Sequence, residues 1–550
     1  MSKWTTPETR SLQHNLIQRV NVGDSLTRSA SRYPDKEAVV DGDRRLTYRQ
    51  FDEQVNTLAN GLIARGYARG DALALMSGNS LEFLVVYYAC AKAGLIVVPI
   101  SLVWRTAEIS YVIGHSRAKG VVVESQLVDT LLPALSDHAD VELIVAPGLT
   151  EKHDGMRSAR GATPLEELAA GQPTTVPEVV IADRDPLSYM YTSGTTSAPK
   201  GVVSSHLGLY MGSLTAAHEM RFTAEERMLA MMPLFHIAQL NAFTTPVIMV
   251  GGTVVLKRGF DAPGLLALVE KERLSFVFGL PVMYREMLDH PDTAGTDLSS
   301  LRRAGYAMAP LPKADLLRAM ETFGCGFSLG FGQTEMVPMT TIFQPEHQIS
   351  HHGAVGEQIV NVQIEIMDEH GNLLPHGQTG EIVYRGPHAL EEYLDNEEAS
   401  NEVMRHGWFH SGDLGHFDEG GMLWFEDRAK DVIKSGGENV ASLEVERAMY
   451  EADSRIKEVA VVGLPHPRWI EAVTAIVIPH PGEQITEAEL WEALKTKLPP
   501  FKRPKSILIV DNFPRTATGK IQKNVLRQQH GGYYQEVPRS TEGASDDEPA

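Results

Sequence analysis

The sequence has few cysteines, little positive charge and no long apolar run. Only Cys90 and Cys325 occur among 550 residues, too few for a disulfide framework or for the ligand set of a structural zinc ion. The net charge of −21 argues against a nucleic-acid backbone or an anionic membrane surface as the main partner. The longest apolar run, near residues 245–256, is too short and too interrupted by glycine to span a bilayer, and the first residues lack the apolar core of a signal peptide. These absences predict a soluble, cytoplasmic protein with no membrane span, in which any phosphate-bearing ligand is met by local positive charge.

The length and the order of sequence patterns predict at least two domains. Residues 71–77 and 95–100 are strand candidates, and they flank a helix candidate over residues 80–93 that begins at Asn79 or Ser80 and ends at Gly94. Similar strand signals recur further along the chain, which favours stacked, mostly parallel sheets covered by helices.

From about residue 355 the pattern becomes rich in β-strand signals, which indicates a small sheet or barrel. A charged, glycine-containing joint over residues 427–440 precedes a new helix and predicts a domain boundary. We therefore predict an α/β fold with a large N-terminal domain of several subdomains over residues 1–429. A small α+β domain follows over residues 430–530, and an acidic, disordered tail is expected over residues 531–550.

The stretch from Tyr191 to Val202 concentrates hydroxyls, small residues and one lysine between a strand-like and a helix-like segment. Backbone N–H groups and hydroxyls in such a turn can surround phosphate oxygens, and the lysine adds positive charge. It is not a Walker loop, because Ala198 and Pro199 stand where glycine must precede the lysine. A flexible surface loop is the structural alternative. The candidate phosphate ligands are Thr192, Ser193, Gly194, Thr195, Thr196 and Lys200.

Four further polar residues lie in patterns that allow either a structural or a functional role. His236 is set among apolar residues, where a packing role is the commoner one. Glu335 follows a strand that ends in a glycine turn, the place where open α/β sheets bind ligands, so it is either a metal ligand or an exposed carboxylate. Asp413 lies in a predicted glycine turn and accepts hydrogen bonds either from a sugar or from its own backbone. Lys520 is presented by a loop near the end of the small domain.

Taken in order, these stretches resemble the adenylate-forming superfamily, and the acyl-CoA synthetases (AMP-dependent CoA ligases) in particular, from about residue 25 to about residue 528. Phe-Gly-Gln-Thr-Glu at 331–335 is similar to that family's Tyr-Gly-x-Thr-Glu turn, and Ser-Gly-Asp at 411–413 to its ribose-binding motif. The remaining motifs are the phosphate loop at 191–202, the hinge at 427–430 and the C-terminal lysine loop at 514–520.

The resemblance implies a two-step reaction that uses ATP, Mg²⁺ and CoA. A carboxylate attacks the α-phosphorus of ATP to give an acyl-adenylate and pyrophosphate, and the thiol of CoA then displaces AMP. In the first step Thr192 to Thr196 would hold the departing phosphates and Glu335, with Thr196, would hold Mg²⁺. The resemblance assigns the α-phosphate to Thr334, the adenine to Phe331 with Gly332, the ribose to Asp413 and Arg428, and the bridge between carboxylate and α-phosphate to Lys520.

For the second step, the resemblance implies that a mobile C-terminal domain reorients about Lys430. This movement would withdraw the lysine loop and present Gly436 and Gly437 to a pantetheine passage, with His236 gating or lining it.

The substrate class is a hypothesis based on one position. Amino-acid-activating members place an aspartate after the corresponding phenylalanine, whereas here Phe235 is followed by His236. The pocket walls are expected to be mostly apolar, which favours a bulky hydrophobic monocarboxylic acid, alicyclic, aromatic or fatty. The expected walls are Gln239, Asn241, Phe243, Phe278, Met283, Tyr306, Met308 and Met336.

Several departures and alternatives stand beside this interpretation. Ser197 replaces a usual glycine, Phe331 replaces a usual tyrosine, and Tyr306 and Met308 stand where small residues and proline are common. The acceptor is either free CoA or the phosphopantetheine of a carrier protein, and a luciferase-like oxidative use of the adenylate is less favoured. An inactive nucleotide-binding regulator is disfavoured because Lys520 and Glu335 are both present. A homo-oligomer is compatible with the sequence.

Overall fold

A computed structural model of the chain describes residues 11–147, 161–192, 199–308, 311–516 and 519–536. The chain divides into two compact units. Unit 1 comprises Met1–Glu365 and Val383–His410, and unit 2 comprises Ile366–Ile382 and Ser411–Ala550.

The first sheet of unit 1, sheet I, has eight strands within the described residues. In spatial order they are β19 (Glu392–Tyr393), β9 (Lys200–Ser205), β8 (Pro186–Thr192), β4 (Ile96–Pro99), β3 (Ala72–Met76), β5 (Ala118–Glu124), β6 (Glu142–Ala146) and β7 (Thr163–Pro164). From β8 to β7 neighbouring strands are parallel, whereas β8, β9 and β19 pair antiparallel. The central strands are apolar throughout because both faces of the sheet are covered.

The second sheet of unit 1, sheet II, has nine strands in the described part of the chain. Their spatial order is β16 (Glu357–Gln358), β15 (Met339–Phe343), β14 (Gly326–Gly332), β13 (Arg303–Tyr306), β12 (Phe276–Gly279), β10 (Arg227–Ala230), β11 (Thr253–Leu256), β1 (Glu37–Asp41) and β2 (Arg44–Thr47). The strands from β14 to β1 are parallel, and antiparallel strands close both edges.

Helices separate and cover these sheets. They are α1 (Leu12–Gln18), α2 (Val22–Arg32), α3 (Tyr48–Ala64), α4 (Leu81–Ala93), α5 (Thr106–His115), α6 (Val128–Leu131), α7 (Leu165–Ala169), α8 (His206–Glu219), α9 (Thr245–Val250), α10 (Ala262–Glu272), α11 (Pro281–Asp289), α12 (Lys313–Phe323) and α13 (Glu397–Val403). Helix α4 begins at the cap Ser80, ends at the left-handed Gly94, and contacts strands of both sheets. Nearly all of its residues are buried, as expected for a helix enclosed between layers.

A third sheet contains the chain where it passes between the units. Its strands run in the order β17 (Gln363–Met367), β18 (Gly380–Arg385), β21 (Trp408–Phe417) and β20 (Met404–Arg405), and β22 (Leu423–Arg428) also pairs with β21. The boundaries between the two units fall within β17, β18 and β21.

The C-terminal part of unit 2 is an α+β sandwich built on a fourth sheet. This sheet has the order β24 (Glu438–Val440), β23 (Ile433–Ser435), β26 (Ile470–Pro479) and β25 (Ile456–His466), with β27 (Ser506–Ile509) on β26. Its helices are α14 (Ser442–Ala452), α15 (Glu487–Leu494), α16 (Lys523–His530) and α17 (Tyr533–Glu536). Alternate residues of β25 enter two separate hydrophobic clusters, one with α14 and α15 and the other with α16.

The predicted fold class is confirmed, including the mostly parallel sheets and the caps of α4. Two local predictions are wrong. The Tyr191–Val202 stretch joins the antiparallel strands β8 and β9 rather than a strand and a helix, and Asp413 lies inside β21 rather than in a turn. The chain also continues in helical form beyond residue 530, where Tyr533 and Tyr534 hydrogen-bond Ser506 and Thr474. No helix among the described residues is long and apolar enough to cross a membrane.

Candidate active site

The carboxyl edge of sheet II gathers most of the candidate residues of unit 1. Gly279 and Tyr306 end β12 and β13, and Leu329 of β14 is in register with them. Phe331 and Gly332 extend β14 past them, and the segment containing His236 follows β10. Parallel strands bring their following loops to one edge, so residues far apart in sequence meet there.

The Thr334–Glu335 turn is held by the segment that leads into β19. Thr334 to Met336 form one 3₁₀ turn, which ends at Val337 in the left-handed region. The hydroxyl of Tyr393 donates to Glu335 Oε1 at 2.9 Å, and the Leu390 amide donates to the Glu335 carbonyl at 2.7 Å. The predicted metal turn of sheet II is therefore fixed against β19, a strand of sheet I.

His388 supports the same turn and was not found from the sequence. Its Nδ1 donates to the carbonyl of Met336, and its Nε2 is buried without a hydrogen-bond partner among the described residues. Burial lowers the pKa of His388 to about 4, so the ring is neutral at neutral pH. An isolated histidine in this segment gives no sequence signal for such a role, because the contact joins residues that are distant in the chain.

Glu335 fits a magnesium ligand. It is half-buried, and the Tyr393 hydroxyl is the only hydrogen-bond donor or cation that reaches its carboxylate from the described residues, so Oε2 is left without a partner. No group of three or more His, Cys, Asp or Glu side chains suited to a metal occurs in the described ranges. Mg²⁺ is commonly held by one or two carboxylates together with substrate phosphates and water, so a single oriented carboxylate is a suitable protein contribution.

The two strand residues that flank the predicted phosphate loop, here called its root, lie within the described part of the chain. Thr192 ends β8, Lys200 begins β9, and the two residues are register partners. The Lys200 ammonium lies 5.0 Å from the centroid of the Tyr393 ring. The predicted ligands Ser193, Gly194, Thr195 and Thr196 lie outside the described residues.

The imidazole ring of His236 is neutral, and its Nε2 is available as a hydrogen-bond donor. Burial lowers its pKa to about 4. The Ala238 amide donates to His236 Nδ1 at 3.3 Å, so the proton of the neutral ring lies on Nε2. A π-helix, Ala238–Thr244, follows directly, and such helices are frequent at functional sites.

Most of the predicted acyl-pocket walls are buried in unit 1. Met283 and Met308 are half-buried, whereas the other six residues are buried: Gln239, Asn241, Phe243, Phe278, Tyr306 and Met336. Asn241 donates to the Tyr87 hydroxyl at 2.9 Å, and the rings of Phe243 and Phe278 stack with centroids 4.1 Å apart. Their observed contacts are packing contacts, and their role as substrate walls stays a prediction.

Tyr306 and Phe331 depart from the family pattern beside the predicted adenine site, and the structure accommodates both. The Tyr306 hydroxyl donates to Gln348 Oε1 at 2.7 Å, so its added bulk is buried with its polar group satisfied. Phe331 stays half-buried at the end of β14. A side chain at Gly332 would place its Cβ 2.0 Å from the Pro338 carbonyl, so only glycine fits there.

In unit 2, Asp413 and Arg428 form a pair across two strands. They are register partners in β21 and β22, and Arg428 Nε lies 3.5 Å from Asp413 Oδ1. The neighbouring Asp427 accepts from the amides of Arg428 and Ser442, which fixes the end of β22 to the start of α14. The two predicted ribose ligands are thus held together by the sheet.

Lys520 faces the same group of charges in unit 2. Desolvation of its ammonium lowers the pKa of Lys520 to about 8. Arg428 and Lys430 lower this pKa further, whereas Asp413 and Asp431 raise it. None of the described residues places a hydrogen-bond acceptor or a carboxylate oxygen within bonding distance of Lys520 Nζ, although the Lys520 amide donates to Thr516. Lys520 thus shares one group of charges with two cations and two carboxylates, and phosphate binding there stays a prediction.

The predicted hinge and glycine loop also lie in unit 2. Gly436 and Gly437 form the left-handed turn between β23 and β24, with φ of 62° and 92°. The Gly436 amide donates to the Trp469 carbonyl at 2.9 Å, and a Cβ at Gly436 would meet the Trp469 ring at 2.8 Å. Lys430 is exposed, and its pKa is lowered by partial burial of the ammonium and by Arg428.

Comparisons with known proteins show the family of the chain. The AMP-binding enzyme family model matches residues 26–394, and the AMP-binding enzyme C-terminal domain model matches residues 444–520. The chain is 35% identical over 515 residues to a feruloyl-CoA synthase from Amycolatopsis sp., covering 94% of this chain and 100% of the relative. It is 32% identical to an indoleacetate–CoA ligase from Aromatoleum aromaticum, covering 92% and 98%.

A solved structure gives the same result. The anthranilate CoA ligase AuaEII in complex with anthranoyl-AMP superposes with a TM-score of 0.85 at 25% identity, covering 96% of this chain and 99% of that one. The chain belongs to the AMP-binding enzyme family, in the acyl-CoA synthetase branch of the adenylate-forming superfamily, whose ligases use ATP, Mg²⁺ and CoA.

Proposed function

We propose that this ligase activates a bulky hydrophobic carboxylic acid as its adenylate and transfers the acyl group to CoA. Among alicyclic, aromatic and fatty acids, aryl-substituted acids are the first candidates. Relatives named for feruloyl-CoA and indoleacetate support this choice. The observation that carries the proposal is the neutral His236 after Phe235, where a carboxylate would be needed to pair with the amine of an amino acid.

The first step is opposed by negative charge on both the carboxylate and ATP. Lys520 would lie against the reacting carboxylate and α-phosphate, since its ammonium has no protein acceptor of its own among the described residues. A preorganised cation of this kind stabilises charge as it develops. Asp413 would accept from the ribose hydroxyls, with Arg428 beside it.

Residues of unit 1 would receive the remaining parts of ATP. Thr334 would contact the α-phosphate, and Phe331 and Gly332 would lie against the adenine. Glu335 would hold Mg²⁺, which when bound neutralises phosphate charge. Lys200, at the root of the phosphate loop, would attract the departing pyrophosphate.

The second step needs the thiol of CoA to reach the acyl-adenylate. Rotation about Lys430 would exchange the lysine loop for the Gly436–Gly437 turn, in which the open space beside Gly437 would receive a pantetheine arm. His236 would line this passage, where its neutral ring donates through Nε2 without adding charge beside the thiol.

Carboxylate-dependent ATP–pyrophosphate exchange tests the first step without CoA. We expect exchange with aryl, bulky alicyclic or fatty acids in the presence of Mg²⁺, and no exchange with free amino acids. Better exchange with amino acids than with any apolar acid would contradict the substrate class. Silence across the panel, with ATP binding confirmed, would favour an inactive nucleotide-binding regulator.

Product analysis tests the acceptor. With the best acid of the panel, thioester formation is measured with free CoA and, separately, with a phosphopantetheine-loaded carrier protein. We expect the higher turnover with CoA. A preference for the carrier protein would overturn that part of the proposal and leave adenylation intact.

A further inference from the structure

Tyr393 contacts two groups, one through its hydroxyl and the other through its ring. Its hydroxyl donates to Glu335 Oε1 at 2.9 Å, and its ring lies 5.0 Å from the Lys200 ammonium. Strand β19 holds the tyrosine in place, because Tyr393 pairs with Val202 and the Leu394 amide donates to the Gly201 carbonyl. One side chain therefore links the phosphate-loop root of sheet I to the metal turn of sheet II.

The direction of the hydrogen bond follows from the chemistry of the two groups. Tyr393 is 6% exposed, and its phenol is the donor because an ionised carboxylate only accepts. A protonated phenol beside a carboxylate donates, and a donor on Oε1 fixes the carboxylate plane while Oε2 stays open. The face of the ring attracts the Lys200 ammonium.

We propose that Tyr393 is a positioning residue that orients Glu335 toward Mg²⁺ and restrains Lys200 beside the phosphates. The proposal rests on the proposed function, in which Glu335 holds the metal. Partners that orient a metal ligand commonly change metal affinity by 10- to 100-fold when removed.

The chain contains a second tyrosine with the same two contacts, which serves as a matched control. The Tyr67 hydroxyl donates to Glu142 Oε2 at 3.0 Å, and its ring lies 5.2 Å from the Lys119 ammonium. Tyr67 is 4% exposed, close to the value for Tyr393. Lys119 and Glu142 lie at the amino ends of β5 and β6, at the edge of sheet I opposite to the phosphate loop.

The test measures how much Mg²⁺ increases the affinity for a non-hydrolysable ATP analogue, by calorimetric titration with Mg²⁺ and with EDTA. This ratio of dissociation constants is a binding readout that does not require turnover. We expect Tyr393→Phe to reduce the ratio by about tenfold, whereas Tyr67→Phe keeps the wild-type ratio. Glu335→Gln should reduce the ratio at least as much, and Tyr393→Phe/Glu335→Gln should match Glu335→Gln alone, because the tyrosine acts through the carboxylate.

The outcomes separate this proposal from the proposed function. A wild-type ratio in Tyr393→Phe, or a further tenfold loss in the double variant, would overturn the positioning role. If Glu335→Gln retains the wild-type ratio, the metal role of Glu335 is wrong and the role of Tyr393 falls with it. If the ratios change as expected but no acid supports pyrophosphate exchange, the proposed function fails and the positioning role stands.

Discussion

Lys92 in unit 1 and Lys520 in unit 2 both have a side-chain pKa below the ordinary lysine value, but their surroundings differ. Lys92 is fully buried in α4, and its ammonium donates to Asp52 at 2.5 Å, Asn56 at 2.7 Å and Thr27 at 2.8 Å. Burial lowers its pKa and Asp52 opposes that effect. Every donor of Lys92 thus has a protein acceptor, as a buried ammonium requires.

Lys520 has the opposite environment. Its side chain is exposed, its ammonium is partly desolvated, and the charges that act on it are the cations Arg428 and Lys430 and the carboxylates Asp413 and Asp431. No described residue accepts from its ammonium. A desolvated ammonium without a protein acceptor keeps its donors for an anionic ligand. The comparison indicates that a lowered lysine pKa alone does not identify a functional site, whereas the presence or absence of acceptors separates the two roles.

The largest expected effect is on stability at Lys92. Lys92→Met leaves Asp52 buried without its cation, which should reduce the free energy of unfolding by about 3–5 kcal/mol. Chemical denaturation followed by fluorescence measures this loss. The double variant Lys92→Met/Asp52→Leu should recover most of the loss. As a control, Lys520→Met should have a free energy of unfolding within about 0.5 kcal/mol of the wild-type value. A Lys92→Met variant as stable as the wild type would contradict the structural role.

The next effect is on catalysis at Lys520. Lys520→Ala should reduce adenylation on the order of 10²- to 10³-fold, by analogy with the loss of one preorganised charge-stabilising donor. Pyrophosphate exchange measures this step. Conversion of supplied acyl-adenylate to thioester should stay near the wild-type rate, because in the proposed function the lysine loop serves only the first step. An equal loss in both steps would contradict the proposal that the lysine loop serves adenylation and the Gly436–Gly437 turn serves thioester formation.

Sequence patterns predicted the elements whose signals are local. Ser80 and Gly94 mark the ends of α4 because capping and left-handed backbone are properties of single residues. The motif residues Asp413 and Arg428 were named from the sequence, and the structure brings them together as cross-strand partners. The strand that contains Asp413 was wrongly predicted as a turn because it includes Gly412, whose left-handed backbone, with φ of 72°, is accommodated in the pairing of β21 with β22.

Contacts between distant segments were not predictable in this way. Tyr393 and Glu335 are 58 residues apart, and their hydrogen bond exists only because β19 pairs with β9 beside the Thr334–Glu335 turn. His388 reaches Met336 for the same reason. The sequence alone does not distinguish acyl-pocket walls from core residues, because an apolar side chain such as Phe278 has the same sequence signal in a pocket and in a packed interior.

The smallest expected effect is a pH dependence of adenylation, which tests whether the titration of Lys520 has a catalytic role that Lys92 lacks. Its pKa is about 8, so the ammonium is charged below that pH and loses its proton above it. Adenylation kcat/KM, which reports the free enzyme, should therefore fall as the pH rises past about 8, by about tenfold at pH 9. Unfolding does not account for this fall, because a lysine whose folded pKa lies below its unfolded value contributes stability that increases as the pH rises between the two values. In Lys520→Arg the guanidinium stays charged, so the residual activity should lose this alkaline limb. A limb that persists at the same pH in Lys520→Arg would assign it to another group and would leave Lys520, like Lys92, as a lysine whose titration has no role in catalysis.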